Sequence, residues 1–124
     1  MAKFASDGVL DAPLDKIIAE ADRMIVCSGQ PATYAAAVGA NALADVAVAG
    51  GDFTKANGDT SGRKVTIAAK AGVAVDTTGD ADHVALVDDG ASALLYVTTA
   101  PTQAVAGGGT VDIGSWAIEF RDPA

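Results

Sequence analysis

The sequence predicts a mainly β protein: an antiparallel β-sandwich or small barrel of about seven to nine short strands with one N-terminal α-helix. Short runs rich in Val, Ile, Leu and Tyr recur at regular spacing, and Gly, Asp and Asn clusters separate them. Only one stretch has convincing helical spacing. Because helices do not alternate with the strands, the pattern favours a sandwich or barrel over any α/β fold.

The first element follows a short polar arm, which we assign to residues 1–8. Asp11 fits an N-cap, Pro13 fits the first turn, and Asp15 adds favourable negative charge there. Leu14 and Ile17 then recur at helical intervals, which predicts an amphipathic helix over about 13–22 with its apolar face on the sheet. Residues 9–124 form the single β-rich domain that we expect to follow the arm.

Strand patterns occupy the middle of the chain. Residues 23–28 form an apolar run that ends at Gly29, and the alanines of 32–39 favour a helical turn. Weaker strands follow at 42–49 and 53–55, and a turn-rich loop covers 56–62. Residues 63–70 and 72–76 alternate apolar and polar side chains, as half-buried strands do.

The stretch from Asp82 to Thr99 is predicted to be the centre of the main sheet. Two apolar runs, 84–87 and 94–97, flank Asp88, Asp89 and Gly90, which is a strong hairpin signal. Both runs suit strands that are buried on both sides or nearly so.

The last element alternates most clearly. Val111 and Ile113 precede a predicted bulge at 114–115, after which Trp116, Ile118 and Phe120 share one face. We expect Trp116 and Phe120 to supply much of the aromatic core.

Size and charge limit the functions that this chain can have. Its 124 residues fit one domain with a core of its own, and its formal net charge of −8 repels nucleic acid. No apolar run is long enough to span a bilayer, and the N-terminus lacks a signal-peptide core, so we expect folding in a cytosol and no membrane partner. Cys27 has no second cysteine to pair with and is interpreted as a small buried hydrophobe.

No residue pattern indicates catalysis, a cofactor or a firm metal site. His83 is the only histidine, and it is more simply structural than part of a triad. Carboxylates concentrate around Asp80 and Asp88, and they form either a solvated acidic rim or a weak cation site if their loops lie close together. The candidates for a sugar-facing surface are Thr98, Thr99, Thr102 and Thr110, together with Tyr96, although aromatic side chains that could form a platform are few.

Three segments make the chain resemble small virion structural proteins of tailed bacteriophages with double-stranded DNA. These are 59–67, the pair of runs 83–88 and 94–99, and 114–120, and the opening residues 1–7 with 26–31 extend the likeness over most of the chain. Head decoration, or cement, proteins fit its size best.

This resemblance implies a non-enzymatic protein that is made in the bacterial cytoplasm and carried on the capsid surface of the virion. Its partners would be the major capsid protein and further copies of itself, without nucleic acid, and many weak contacts on a lattice would act together. Lys3 and Phe4 on the arm are the predicted capsid or self-association contacts. A tail- or fibre-associated protein and a carbohydrate-binding β-sandwich module are the alternatives.

Overall fold

The computed structural model describes residues 6–59 and 62–120, which form a small, mainly β antiparallel sandwich with a helix at its N-terminal end. Nine strands lie in three sheets within these ranges. The elements are α1 Asp7–Glu20, β1 Arg23–Cys27, α2 Tyr34–Val38, β2 Ala42–Ala47, a 3₁₀ turn Gly50–Asp52, β3 Phe53–Asn57, β4 Arg63–Ile67, β5 Lys70–Ala74, β6 Gly79–Asp88, β7 Ala93–Val105, β8 Thr110–Ile113 and β9 Trp116–Phe120.

Helix α1 begins six residues before the predicted start. Ser6 is its N-cap, because the Ser6 hydroxyl accepts a hydrogen bond from the backbone N–H of Val9. Asp11 therefore lies inside the helix, and the last residues of the predicted arm, 6–8, form the N-cap and the start of the first turn of α1. Pro13 is tolerated although it cannot donate a backbone hydrogen bond. Leu14 and Ile17 are buried against the sheets, as the helical spacing predicts.

The largest sheet has the strand order β2-β1-β6-β7, with every pair antiparallel. The predicted hairpin is confirmed, since β6 pairs with β7 along most of its length. Strand β6 is central and buried on both faces. The second strand of the hairpin, β7, forms an edge of this sheet, so its residues 94–97 are only half-buried, whereas residues 84–87 of β6 are buried on both sides.

Two hydrophobic layers cover the two faces of the large sheet. Met24, Val26 and Leu86 face the main core, which α1, β4 and β9 complete. The alternate residues Ile25 and Val87 face the other way, into a smaller cluster that also contains Cys27, Ala37 of α2 and Ala85. Successive side chains of a strand point to opposite faces. A continuous apolar run therefore indicates a strand that is covered on both faces, and such runs in β1 and β6 indicate this second layer.

The last predicted element is two strands in two different sheets. Strand β8 pairs with β5, whereas β9 pairs with β4 in the sheet β3-β4-β9. Gly114 and Ser115 are thus the crossing point between sheets and not a bulge within one strand. Their pattern alone could not separate these cases, because both keep the alternation of side chains.

Phe120 does not belong to the core. Its side chain is 36% exposed at the end of β9, while Ile118 on the same strand is buried. The alternation places Phe120 on the inward face, but the strand has run past the edge of the packed layers at this point.

Candidate functional site

The predicted contact residues Lys3 and Phe4 lie outside the residues that the structure describes. The structure does describe where the chain enters the fold, at Ser6 and the first turn of α1. The surroundings of this entry point are therefore one of the two regions that we consider as functional sites.

Ion pairs fix the N-terminal half of α1 to one end of the three-stranded sheet. Arg63 Nε donates to Asp11 Oδ1 at 2.9 Å, and Lys55 Nζ donates to Asp15 Oδ1 at 2.6 Å. The hydrogen bond from Arg63 is the main reason why the pKa of Asp11 is lowered, and the bond to Asp15 is the main reason why the pKa of Lys55 is raised. Arg63 is also the cross-strand partner of Phe120, so the ion pair joins α1 to the strand beside the end of β9.

Helix α1 and strand β9 each carry one exposed apolar side chain. Val9, in the first turns of α1, is 64% exposed, and Phe120 at the end of β9 is 36% exposed. They are the large hydrophobic residues of the described chain that remain exposed to this degree. We call Val9 and Phe120 together the apolar end. Side chains of this kind gain free energy when a partner surface covers them.

The second region is a groove of about 360 Å³ on the face of the large sheet that is opposite to α2. It lies where the large sheet and strands β8 and β9 are not joined, because among the described residues neither β7 nor β9 has a strand partner on that side. One wall comes from β6 and β7 and the other from the end of β8, the crossing point 114–115 and the start of β9. We call this feature the β7–β9 groove.

Polar groups and one indole ring line the β7–β9 groove. Thr98, Thr99 and Gln103 of β7 face Ser115 and Trp116 across it. Within the described chain, no side-chain hydrogen bond engages the first three of these residues, so they have hydrogen-bonding capacity for a ligand. Thr98 and Thr99 were predicted as a polar surface, but nothing in the sequence paired them with residues 115 and 116.

Trp116 is held in place from the core side. Its Nε1–H donates to Met24 Sδ at 3.4 Å, and its ring stacks on Tyr96 with centroids 6.0 Å apart and planes 26° apart. The side chain is half-buried and packs on the main core, so the expected core role of Trp116 is met in part. Its remaining surface forms part of the groove wall.

His83 also lies at the groove, and its ring is paired with a carboxylate. His83 Nδ1 lies 2.8 Å from Asp82 Oδ1, and this same oxygen accepts the backbone N–H of Gly29 at 2.7 Å. The contact with His83, followed by the bond from Gly29, lowers the pKa of Asp82. Asp82 thus ties the start of β6 to the turn after β1, which is a structural role for this pair.

The carboxylates around Asp80 and Asp88 do not form one cluster. They lie near opposite ends of the single strand β6, which places them roughly 26 Å apart at the usual rise of an extended strand. The possibility that their loops meet was wrong because a strand separates them. In the described part of the chain, no group of three or more His, Cys, Asp or Glu side chains is arranged to hold a metal ion.

Asp89 instead takes part in an ion-pair network that the sequence did not reveal. Arg23 donates to Asp45 at 2.6 Å and to Asp89 at 2.8 Å, and the Tyr34 hydroxyl donates to Asp89 at 2.8 Å. Burial raises the pKa of Asp89, but the bonds from Arg23 and Tyr34 outweigh this effect and lower it overall. The network joins β1, β2, α2 and the β6–β7 turn, so its role is to hold the second hydrophobic layer closed.

Comparison with protein-family models, with curated proteins and with solved structures finds no significant match to this chain. Among the described helices, none has the length and apolar character required to cross a bilayer. Three features therefore bear on its function: the apolar end, the β7–β9 groove and the resemblance of its sequence to small virion proteins.

Proposed function

We propose that this chain is a non-enzymatic structural protein of a tailed-bacteriophage virion, a decoration or cement protein that binds the outer capsid shell. It would bridge neighbouring major capsid subunits and so stabilise the DNA-filled head, in company with other copies of itself. The resemblance of its segments to small virion proteins is the origin of this proposal. Its acidic charge, which disfavours contact with the packaged genome, is compatible with a place outside the shell.

The observation that carries the proposal is the exposure of Val9 and Phe120, which leaves apolar surface for a partner to cover. Val9 is in the first turns of α1, which the ion pair of Asp11 with Arg63 fixes to the sheet, and Phe120 is the strand partner of Arg63. The predicted contact residues Lys3 and Phe4 precede this helix by only a few positions. Exposed apolar side chains of this kind suit small contacts that are repeated many times on a lattice.

The decisive experiment is cryo-electron microscopy of particles of the encoding phage, with and without this gene product. Density that repeats over the icosahedral shell and disappears on deletion of the gene is the expected result. Density confined to the tail or neck would reject the decoration role and favour the tail-associated alternative. Particles that lack this protein altogether would reject both.

Variants of the contact residues make this test specific. Purified protein is added back to particles that lack it, and its occupancy is measured by quantitative gel analysis. We expect the double variant Lys3→Ala with Phe4→Ala, and separately Phe120→Ser, to lower occupancy several-fold, whereas Thr77→Ala at an exposed loop position serves as the control. These substitutions leave Ser6, the N-cap of α1, in place. A deletion of residues 1–8 would remove this cap and so disturb the helix as well.

Full occupancy of both variants would refute the role given to the arm and to the apolar end. Circular dichroism and thermal unfolding of each variant separate loss of binding from loss of fold.

The β7–β9 groove favours a second candidate function, the binding of a neutral glycan. Thr98, Thr99 and Gln103 supply hydroxyl and amide groups without intramolecular partners, and Trp116 offers an aromatic edge. Sugars require this combination of hydrogen-bonding groups and an apolar surface. The aromatic platform is small, which is why this function ranks second.

Trp116 provides the assay for this candidate, because it is the only tryptophan of the chain. Titration with host capsular or lipopolysaccharide glycans is expected to change its fluorescence with saturation, and Thr98→Ala is expected to weaken the change. A flat titration across the glycan panel would exclude the groove as a glycan site without affecting the decoration proposal.

A further inference from the structure

Strand β7 leaves one of its two sides without a backbone partner. It spans Ala93–Val105 and pairs only with β6, at the end of the sheet order β2-β1-β6-β7. No other backbone hydrogen bond in the described chain reaches residues 93–104. An edge of this kind presents a row of N–H and C=O groups that another strand can pair with.

The first half of this edge has one of the features by which proteins usually prevent such pairing, a register shift at Leu95, but it has no charge. None of the 13 residues of β7 is charged, although 19% of the chain is. Residues 94–97 are four consecutive apolar side chains, each of them half-buried. Pro101 and a second register shift, between the partners of Ala81 and His83, interrupt the strand further along, so regular pairing is limited to residues 96–99. Natural edge strands are normally protected by lysines, inward-pointing charges, bulges or a covering segment.

The other edge of the same sheet shows such protection. Strand β2 has six residues, and its Asp45 is held by Arg23 in an ion pair. The backbone N–H groups of Asp76 and Thr77 both donate to the Leu43 carbonyl, so the segment after β5 covers this edge. The contrast between the two edges marks β7 as a strand left free for a partner.

We propose that β7 pairs antiparallel with β7 of a second copy of this chain, so that two four-stranded sheets become one continuous sheet of eight strands about a two-fold axis. An antiparallel edge is complementary to itself, and it therefore requires no second kind of surface. Charge selects the same site. Two copies with a net charge of −8 each repel one another, and β7 offers an uncharged stretch along which their backbones can approach.

This pairing does not depend on a role in a virion, and its test uses the purified full-length chain. Sedimentation equilibrium over a wide concentration range is expected to show a monomer–dimer equilibrium that reaches twice the chain mass of 12.2 kDa. Hydrogen-exchange mass spectrometry at low and high concentration is expected to show added protection confined to residues 96–99. A monomer at every concentration, with β7 exchange unchanged, overturns the proposal.

A pair of matched variants locates the contact. Thr99 is an exposed residue of β7, and Thr54 is an exposed residue of β3, which is the edge strand of another sheet. We expect Thr99→Lys to raise the dimer dissociation constant at least tenfold, because a lysine at the contact must be desolvated and faces its symmetry copy. Thr54→Lys adds the same charge and is expected to leave the constant within twofold of the unmodified chain.

If both variants weakened the dimer equally, pairing through β7 would be contradicted. The same holds if neither variant weakened the dimer and dimer formation did not protect β7 from exchange. Since the exchange measurement needs no substitution, it decides the question even if Thr99→Lys fails to fold. If the purified chain forms this dimer but is absent from virions, the β7 pairing stands and only the decoration function is rejected.

Discussion

Cys27 shows at the scale of a single residue how burial determines chemistry. Its thiol is completely buried between β1 and α2, where it lies 3.7 Å from the Ile25 carbonyl oxygen. Burial, with a smaller contribution from Asp82, raises the pKa of Cys27 to about 11. The reactive thiolate is therefore scarce at neutral pH as well as inaccessible, which supports the interpretation of Cys27 as a small hydrophobe.

We accordingly expect Cys27 to resist a maleimide or a disulfide reagent in the folded protein at pH 7 and to react fully in denaturant. The rate of labelling should follow the opening of the fold and increase with urea. Cys27→Ala provides the blank for the assay. Rapid stoichiometric labelling without denaturant would show that the α2 layer does not cover the thiol.

At the scale of the element, the smaller hydrophobic layer is a part of the fold that can be tested directly. Val87 of β6 is completely buried in this layer, whereas Val9 of α1 is 64% exposed. The same substitution at the two positions thus separates burial from side-chain chemistry.

Val87→Ala is expected to lower the free energy of unfolding by ~2 kcal/mol, because two methyl groups leave a packed layer and a small cavity remains. Val9→Ala should change it by less than ~0.5 kcal/mol, as exposed substitutions usually do. Urea denaturation of both variants measures the difference. Equal effects would mean that the α2 layer contributes no packing.

The cap of α1 supports a second prediction at this scale. Ser6→Ala removes the acceptor for the backbone N–H of Val9 and is expected to cost about 1 kcal/mol of stability. Ser6→Asp keeps an acceptor and should retain most of this stability. Thermal unfolding monitored by circular dichroism compares the three proteins, and an alanine variant as stable as the parent would place the helix start elsewhere.

Most strands could be predicted from the sequence because their alternation records which face is buried. Residues 63–67 alternate, and their apolar side chains Val65 and Ile67 lie on the one packed face. Residues 84–87 are all apolar, and both of their faces are packed. The start of α1 was missed because Asp11 followed by Pro13 imitates a helix start, while Gly8 weakens the true first turn. Phe120 was misplaced because alternation gives the face of a side chain but not the limit of the sheet.

The candidate sites were less predictable for a related reason. The β7–β9 groove joins residues 98–103 to residues 111–117, and its existence depends on β8 and β9 entering different sheets. No local pattern distinguishes that crossing from a bulge. In the same way, a hairpin signal pairs β6 with β7 but does not say whether a further strand covers β7.

At the scale of the whole molecule, ion pairs connect elements that the sheets leave separate. Asp52 accepts from Lys70 at 2.8 Å and from the backbone N–H of Ala49 at 2.9 Å, and these bonds lower its pKa. Asp89, through Arg23 and Tyr34, joins the β6–β7 turn to α2. Both carboxylates prefer their charged form in the folded state more strongly than in the unfolded chain, where the Asp pKa is about 3.8.

The sign of the resulting pH dependence follows from these lowered pKa values. A carboxylate with a depressed folded-state pKa adds stability above its unfolded value, and this contribution is lost as the pH falls through the folded-state pKa. The urea midpoint should therefore be nearly constant from pH 7 to 5 and fall steadily below about pH 4.

Asp52→Asn should lower the midpoint at pH 7 and make the acid decline shallower, because this carboxylate no longer titrates. Asp80→Asn, which changes an exposed carboxylate that no ion pair in the described chain engages, should leave the curve nearly unchanged. Identical acid curves for the two variants would show that the bond between Asp52 and Lys70 contributes nothing to stability in solution.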